Sequence, residues 1–301
     1  MKEFIHIGFP KTASTTLQEH VFAKTPAIEN VGRPFDNHDD AQLLNGLALD
    51  DDRDFREEEM VARVAAGRER GAPVLVYSDE TVVNTPIRSI AAKRLKRLMP
   101  NAHIIAVVRN QFDAITSYYA GQARHVRRAP EPYAGRHVSF ENFLAFQFKN
   151  TKQGVLPTFD YADVLDIYAD LFGPDHVHVL LYETLRQREA DFVGQLAQIL
   201  DIDADRIPAP SAAPRENLRP DAGQVRYQAL RTRFLRGVPL SRMVPGAPAL
   251  KRGAQKLLGS GGLDTDLTPS WRSQIVEYYR ANNQRLARDQ GLDLAAHGYP
   301  L

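Results

Sequence analysis

The residues FIHIGFPKTASTT, positions 4–16, join an apolar run to a turn that holds one lysine and four hydroxyl side chains. The run Phe4–Phe9 favours a strand, and the amphipathic residues 17–22 that follow the turn favour a helix. The first amides of a helix have no intrahelical partner and its dipole attracts negative charge, so such a turn binds anions. We therefore predict an anion site at Lys11. The alternative is that Ser14 only caps the helix.

Composition is that of an ordinary globular protein of 301 residues,. We expect a single domain spanning 1–301, in which the Pro-, Gly-, Lys- and Arg-rich stretch 238–262 is a mobile loop. The chain has no cysteine, which excludes disulfides, thiolate metal sites and a cysteine nucleophile,. We find no run of about 18 apolar residues and no signal-peptide pattern, so we expect no transmembrane segment and a cytoplasmic location.

Charge is unevenly spread, although the formal net charge is only +1. Positions 29–59 carry eleven acidic and three basic residues, and positions 215–256 carry ten basic and two acidic ones. Such segments are often only solvated surface. The basic one also suits the anionic ligand that the first motif predicts.

Apolar runs and helical patterns alternate along the chain, which favours an α/β fold with a central, mostly parallel sheet flanked by helices. Ligands of such sheets bind at the carboxyl ends of the strands. The predicted strands are Phe4–Phe9, Val74–Ser78, His103–Arg109 and Val177–Tyr182, and the predicted helices are Phe55–Arg70, Ile87–Met99, Ala114–Arg124, Tyr161–Leu171, Ala190–Leu200 and Ser270–Arg288.

A second motif lies where the third predicted strand ends. Arg109 ends the strand and Ser117 falls about one turn inside the next helix. A guanidinium fork and a hydroxyl in this arrangement hold one phosphate group together. The alternative is an ordinary Arg–Asp pair, with Ser117 facing solvent.

Together the two motifs resemble those of the PAPS-dependent sulfotransferases, whose co-substrate is 3′-phosphoadenosine 5′-phosphosulfate (PAPS). The first family motif reads roughly P-K-T/C-G-T/S-T, and the second R-N-P-x-D-x-x-x-S-x-Y. This chain has Ala13 in place of the usual glycine and Gln111 in place of the usual proline. We expect Ala13 to need a negative φ or some strain, and Gln111 to loosen the turn. The segments Tyr182-Glu183 and Gly298-Tyr299-Pro300 also resemble bacterial members.

The resemblance implies a P-loop-like sulfotransferase fold, no metal, and sulfuryl transfer from PAPS to an acceptor hydroxyl. Lys11 would be catalytic, and Arg109 and Ser117 would hold the 3′-phosphate, with Arg215 or Arg219 within reach of it. The 5′-phosphosulfate would lie in a cradle formed by Lys11, Thr12, Ala13, Ser14, Thr15 and Thr16.

A general base must accept the acceptor's proton, and Glu80, just after the second predicted strand, is the expected one. Carbohydrate sulfotransferases of the family place a glutamate there. Asp79 is second choice, and His125 or His137 stay open because small-molecule members use histidine. We expect a carbohydrate acceptor, or else a lipid or small metabolite, and no nucleic acid. The competing functions are a P-loop nucleotide kinase, whose G-x-x-x-x-G-K-[ST] pattern is absent, and a non-catalytic protein that binds anionic glycans.

Overall fold

The structure is a computed structural model that describes residues 1–122, 138–151, 154–212, 221–234 and 262–301, together with 251, 253–255 and 257–259. Its contacts divide into two compact units. The first comprises Met1–Gln111, Thr158–Pro214 and Val276–Leu301, and the second Phe112–Pro157 and Arg215–Ile275. The expectation of a single domain stays a prediction. The stretch 238–262, expected to be mobile, lies largely outside the described residues.

The first unit is built on a five-stranded sheet in the order β2-β3-β1-β4-β5, in which every neighbouring pair is parallel. This confirms the predicted α/β class. The strands are β1 (Lys2–His6), β2 (Ile28–Asn30), β3 (Val74–Ser78), β4 (His103–Val108) and β5 (Val177–Leu181). The sequence analysis did not predict β2, because it is only three residues long and two of them are polar.

Helices connect the strands, as the alternating pattern predicted. A short helix, α1 (Ser14–Thr16), continues directly as a π-helix over Leu17–Phe22. The remaining helices are α2 (His38–Leu49), α3 (Glu57–Glu69), α4 (Arg88–Leu98), α5 (Gln111–Gln122), α6 (Phe140–Lys149), α7 (Tyr161–Phe172), α8 (Tyr182–Gln187), α9 (Glu189–Leu200), α10 (Ala222–Phe234) and α11 (Pro269–Gln290). Within the described residues, none of these is both long and apolar enough to cross a bilayer.

Both faces of the sheet are buried, which is why its strands read as nearly continuous apolar runs. On one face the π-helix and α9 pack over β1, β3 and β4. On the other face α7 contacts β4. The residues of the first layer include Phe4, Leu17, Phe22, Val76, Ile105, Phe192 and Leu196.

Strand β1 occupies the centre of the sheet, and its last residue, His6, is in register with Ser78 of β3 and Ile105 of β4. The strand was predicted to run to Phe9 but ends earlier. Gly8 has a φ of +24°, which takes the backbone out of the extended conformation. The loop that follows therefore rises from the middle of the carboxyl edge of the sheet.

The described part of the second unit contains α6 and α10 and holds a group of aromatic side chains. The ring of Tyr119 lies 5.0 Å from that of Phe140 and 5.4 Å from that of Phe143, and its hydroxyl donates to the carbonyl of Val138. Ser117 lies on α5 in this unit and is half-buried.

Histidine 6 makes the stability of the fold depend on pH. Burial lowers the pKa of His6 from 6.5 to about 3, so the folded protein keeps this ring neutral while the unfolded chain takes up a proton below pH 6.5,. Stability should therefore fall as the pH drops from 6.5 towards 3. Between pH 6.5 and about pH 5, uptake of this one proton by the unfolded chain should lower the free energy of unfolding by roughly 2 kcal/mol.

Urea unfolding of the wild type and His6→Gln at about pH 7.5 and about pH 5 measures this effect, because the change with pH should be smaller in the variant. His20→Gln, which removes a half-buried histidine of the π-helix, is the control for losing a histidine elsewhere. Equal pH dependence in the wild type and His6→Gln would contradict the assignment.

Candidate active site

The loop after β1 has an unusual backbone. Lys11 has a φ of +67° and Ala13 a φ of +66°, both in the left-handed region, and Ala13 is the N-cap of α1. A turn of this kind followed by helical residues points successive amides into one concavity, which is suited to an anion. The sequence predicted either a negative φ or some strain at Ala13. Its φ is positive, so the backbone is strained there.

Ser14 does not act as a helix cap. No side-chain cap is present at the start of α1, and the Oγ of Ser14 donates instead to Oε2 of Glu80, 2.5 Å away. Thr12 is buried, and its hydroxyl donates to the carbonyl of Phe9, which closes the turn. The Ser14–Glu80 bond joins the loop directly to the turn that follows β3.

Gly8 makes this approach possible. A Cβ atom added at Gly8 would lie 3.1 Å from Cβ of Ser14 and 3.4 Å from Cβ of Glu80. The absence of a side chain at this crowded, positive-φ position therefore lets the loop and the end of β3 come together.

Arg109 lies just beyond the end of β4, beside the loop. Its Nη1 donates to the carbonyl of Lys11 at 2.9 Å, and its guanidinium carbon lies 4.3 Å above the ring of Tyr182. The hydroxyl of Tyr161 donates to the carbonyl of Arg109 at 2.7 Å, and burial raises the pKa of Tyr161 well above its usual value. Within the described part of the chain, the buried Nε of Arg109 has no hydrogen-bond partner, so the guanidinium keeps an unused donor,.

Gln111 fastens the turn after β4 rather than loosening it, so that expectation is wrong. Its fully buried amide donates to Oδ1 of Asn283 at 2.8 Å, and Nδ2 of Asn283 donates back at 3.1 Å. A reciprocal amide pair satisfies both side chains away from water. Gln111 therefore supplies by hydrogen bonding the rigidity that a proline would supply by its ring.

Asn110 is held equally firmly. Its backbone N–H donates to Oε1 of the buried Glu183 at 2.8 Å, and Oε2 of Glu183 accepts from the hydroxyl of Tyr299 at 3.0 Å. Its side-chain amide donates to the carbonyls of His297 and Gly298 at 2.9 and 2.6 Å. The segments singled out by family resemblance, Tyr182-Glu183 and Gly298-Tyr299, thus support the turn that carries Arg109.

Lys11, Ser14, Glu80 and Arg109 come together in the first unit, as the sequence predicted for the carboxyl edge of a parallel sheet. Ser117 belongs to the second unit. Arg215, Arg219, His125 and His137 lie outside the described residues.

A cavity of about 710 Å³ lies at the opposite edge of the sheet, where it is lined by Lys2, Glu3, Arg68, His103 and His178. His103 and His178 lie at the amino ends of β4 and β5, so this cavity is far along the strands from the loop. Ligands of open parallel sheets bind at the carboxyl edge, and we therefore assign the site to the loop. Among the described residues, no group of three or more histidine and carboxylate side chains is arranged to hold a metal ion.

The sequence profile of the sulfotransferase domain family matches residues 2–233. The chain belongs to this family. The match spans the loop after β1, Glu80 and the turn after β4, so Lys11, Ser14, Glu80 and Arg109 all fall within the matched residues. No curated protein sequence matches with significant similarity.

A solved bacterial sulfotransferase shares the fold, and two further sulfotransferase structures align with lower scores. The enzyme from Alicyclobacillus acidocaldarius superposes with a TM-score of 0.58 at 17% identity, covering 98% of each chain. The sulfotransferase domain from the curacin biosynthetic pathway gives 0.46 at 17% identity, over 73% of this chain and 80% of its own. A mouse sulfotransferase complexed with PAP gives a TM-score of 0.49 at 14% identity, covering 98% of this chain and 88% of its own.

Sequence reasoning missed Arg33, which pairs with Asp79 next to Glu80. The Nε of Arg33 donates to Oδ1 of Asp79 at 2.7 Å, and the Asp79 side chain is fully buried. This pairing agrees with Asp79 being only the second choice of base. Arg33 lies in the acidic segment 29–59, whose composition indicates solvated surface. The local sequence pattern therefore did not predict a contact between Arg33 and Asp79.

The left-handed Ala13 allows a direct test of the loop geometry. Ala13→Val should lower the free energy of unfolding by about 1–2 kcal/mol more than the control Ala23→Val, because a β-branched residue is strained at positive φ and Ala23 has a φ of −72°,. Ala13→Gly should change it by less than about 1 kcal/mol, because relief of strain offsets the added freedom of the unfolded chain. Urea unfolding provides the measurement, and equal losses for Ala13→Val and Ala23→Val would contradict the loop conformation.

Proposed function

We propose that this sulfotransferase transfers a sulfuryl group from PAPS to a hydroxyl group of an acceptor, and that the acceptor is a carbohydrate. The observation that carries the proposal is the Ser14–Glu80 hydrogen bond, which puts a carboxylate against an anion-binding loop. A protein that only binds anions gains nothing from a carboxylate at this point, because it repels the ligand. A transferase needs one to accept a proton.

The chain's own groups fit PAPS as the substrate. The amides of the left-handed turn and the Lys11 ammonium suit its 5′-phosphosulfate, and the Arg109 guanidinium suits its 3′-phosphate. Ser117 and Arg215 stay proposed ligands of the nucleotide, on the family resemblance alone. The cytoplasmic location stays a prediction from the sequence.

In the proposed reaction the acceptor oxygen attacks sulfur, its proton passes to Glu80, and adenosine 3′,5′-bisphosphate (PAP) leaves. Lys11 and the loop amides stabilise the negative charge that grows on the departing phosphate oxygen. Ser14 holds one oxygen of the Glu80 carboxylate, which fixes the direction in which the other oxygen faces. As in phosphoryl transfer, positioning and charge stabilisation do most of the work.

A binding comparison and an acceptor panel test this function. Calorimetry should give much tighter binding of PAP than of AMP, which lacks the 3′-phosphate, or of ATP with magnesium, which a kinase would prefer. Radiolabelled PAPS is then supplied with oligosaccharides, lipids and small metabolites, and transfer to each class and to water is measured. Preference for ATP would overturn sulfuryl transfer, whereas labelling confined to lipids or metabolites would overturn only the carbohydrate acceptor.

Lys11→Ala should lower turnover by ~10²-fold or more, the size expected when one transition-state charge contact is lost. Lys24→Ala is the matched control, because Lys24 is exposed just beyond the same helical segment and its loss changes the net charge equally. Initial rates with labelled PAPS measure both variants. A wild-type rate for Lys11→Ala would show that Lys11 and its loop take no part in the reaction.

Glu80→Gln should reduce turnover by ~10²–10⁴-fold without weakening PAP binding, because the amide keeps the shape of the side chain but cannot accept the proton. Glu19→Gln, which changes another half-buried glutamate of the same unit, should keep full turnover. If Glu80→Gln is fully active and His125→Ala or His137→Ala abolishes turnover, the base is a histidine.

A further inference from the structure

Arg33 binds the residues on both sides of Glu80. Its Nε donates to Oδ1 of Asp79 at 2.7 Å, and its Nη2 donates to Oγ1 of Thr81 at 3.0 Å. Asp79 and Thr81 are the immediate neighbours of Glu80 in the chain. A single guanidinium therefore spans the turn that carries this carboxylate.

Arg33 is itself fixed by three further contacts, two of the guanidinium and one of the backbone. Nη2 also donates to Oδ1 of Asn45 on α2 at 3.0 Å, and the guanidinium carbon lies 4.1 Å above the ring of Phe35. The backbone N–H of Arg33 donates to the carbonyl of Ser78, the last residue of β3, at 2.8 Å. Arg33 thus connects α2, the end of β3 and the Glu80 turn as one rigid group.

Asp79 transmits this restraint to the backbone. Its fully buried side chain accepts from Arg33 and, through the same Oδ1 atom, from the backbone N–H of Thr81 at 2.9 Å. The backbone N–H of Asp79 donates in turn to the carbonyl of His6 at the end of β1 at 3.2 Å. The short 3₁₀ turn Glu80–Val82 is consequently tied to the strand that leads into the loop.

We propose that Arg33 is a positioning residue for Glu80. By holding Asp79 and Thr81, it fixes the turn so that the Glu80 carboxylate meets Ser14 on one side and the acceptor hydroxyl on the other. The proposal rests on the proposed function, in which Glu80 accepts the proton. Arg33 suits the task better than lysine, since its planar fork reaches several acceptors at once and an ammonium is a point donor.

Arg33→Gln and Arg33→Lys test the proposal, with Arg63→Gln as the matched control. Arg63 is exposed to nearly the same degree, 23% against 25%, and likewise pairs with a buried aspartate, Asp40. It bonds the carbonyl of Val31 and has no contact with Asp79 or Thr81. Both Arg33 variants should lower kcat by roughly 10- to 100-fold without changing the KM for PAPS or the affinity for PAP, because only the placement of the base is disturbed. Arg63→Gln should keep the wild-type kcat.

Arg33→Gln leaves the buried Asp79 without its cation, so loss of folding would obscure the result. The double variant Arg33→Gln/Asp79→Asn removes both charges together, and thermal unfolding checks that it is folded. It should show the same loss of kcat. Rates are measured with the best acceptor of the panel. Hydrolysis of PAPS by water is measured in parallel, so that the variants can still be compared if no compound of the panel is an acceptor.

A double-mutant cycle with Glu80→Gln decides whether Arg33 acts through Glu80. Adding Arg33→Gln to Glu80→Gln should cost no further kcat. An equal loss in the wild-type and Glu80→Gln backgrounds, or a wild-type kcat for folded Arg33→Gln, would overturn the inference while leaving the base assignment intact. A wild-type rate for Glu80→Gln alone would instead overturn the proposed base.

Discussion

The site depends on β1 being hydrogen-bonded along both of its edges, to β3 on one side and β4 on the other. A strand paired on both sides has little freedom at its end, so the loop that follows starts from a fixed point. The loop can then keep left-handed residues at Lys11 and Ala13, each of which costs of order 1–2 kcal/mol in isolation,. The bonds from Ser14 to Glu80 and from Arg109 to the carbonyl of Lys11 come from those same neighbouring strands.

This arrangement places a carboxylate beside the proposed site for a highly charged anion, which is electrostatically unfavourable unless cations offset it. Lys11 and Arg109 supply positive charge from the loop and from β4, and the hydroxyl of Ser14 donates to the carboxylate. The proposed base and the proposed anion site are therefore held by the same few residues. Close placement of this kind suits a reaction in which a proton leaves one substrate as negative charge develops on the other.

The sequence predicted what local patterns encode. Alternating strands and helices gave the parallel sheet, and the order of Lys11, Glu80 and Arg109 after successive strands gave their common edge. The sequence did not predict individual contacts, because these depend on which side chains meet after packing. Ser14 was predicted as an anion ligand or a cap, and its bond to Glu80 requires the register of β1 and β3. Asn283, the partner of Gln111, lies 172 residues away in the chain, and no short motif predicts this pair.

The turn after β4 also constrains when the protein can finish folding. Asn110 is bound by carbonyls that lie 187 and 188 positions later in the chain, and Asn283 donates to the carbonyl of Pro300. During synthesis β1, β3 and β4 emerge long before those partners, so the sheet can assemble while the amides of Asn110 and Gln111 still face water. Closure over such a separation is slow compared with local helix formation. A nascent chain can thus form the loop after β1 well before those distant carbonyls lock the turn that bears Arg109.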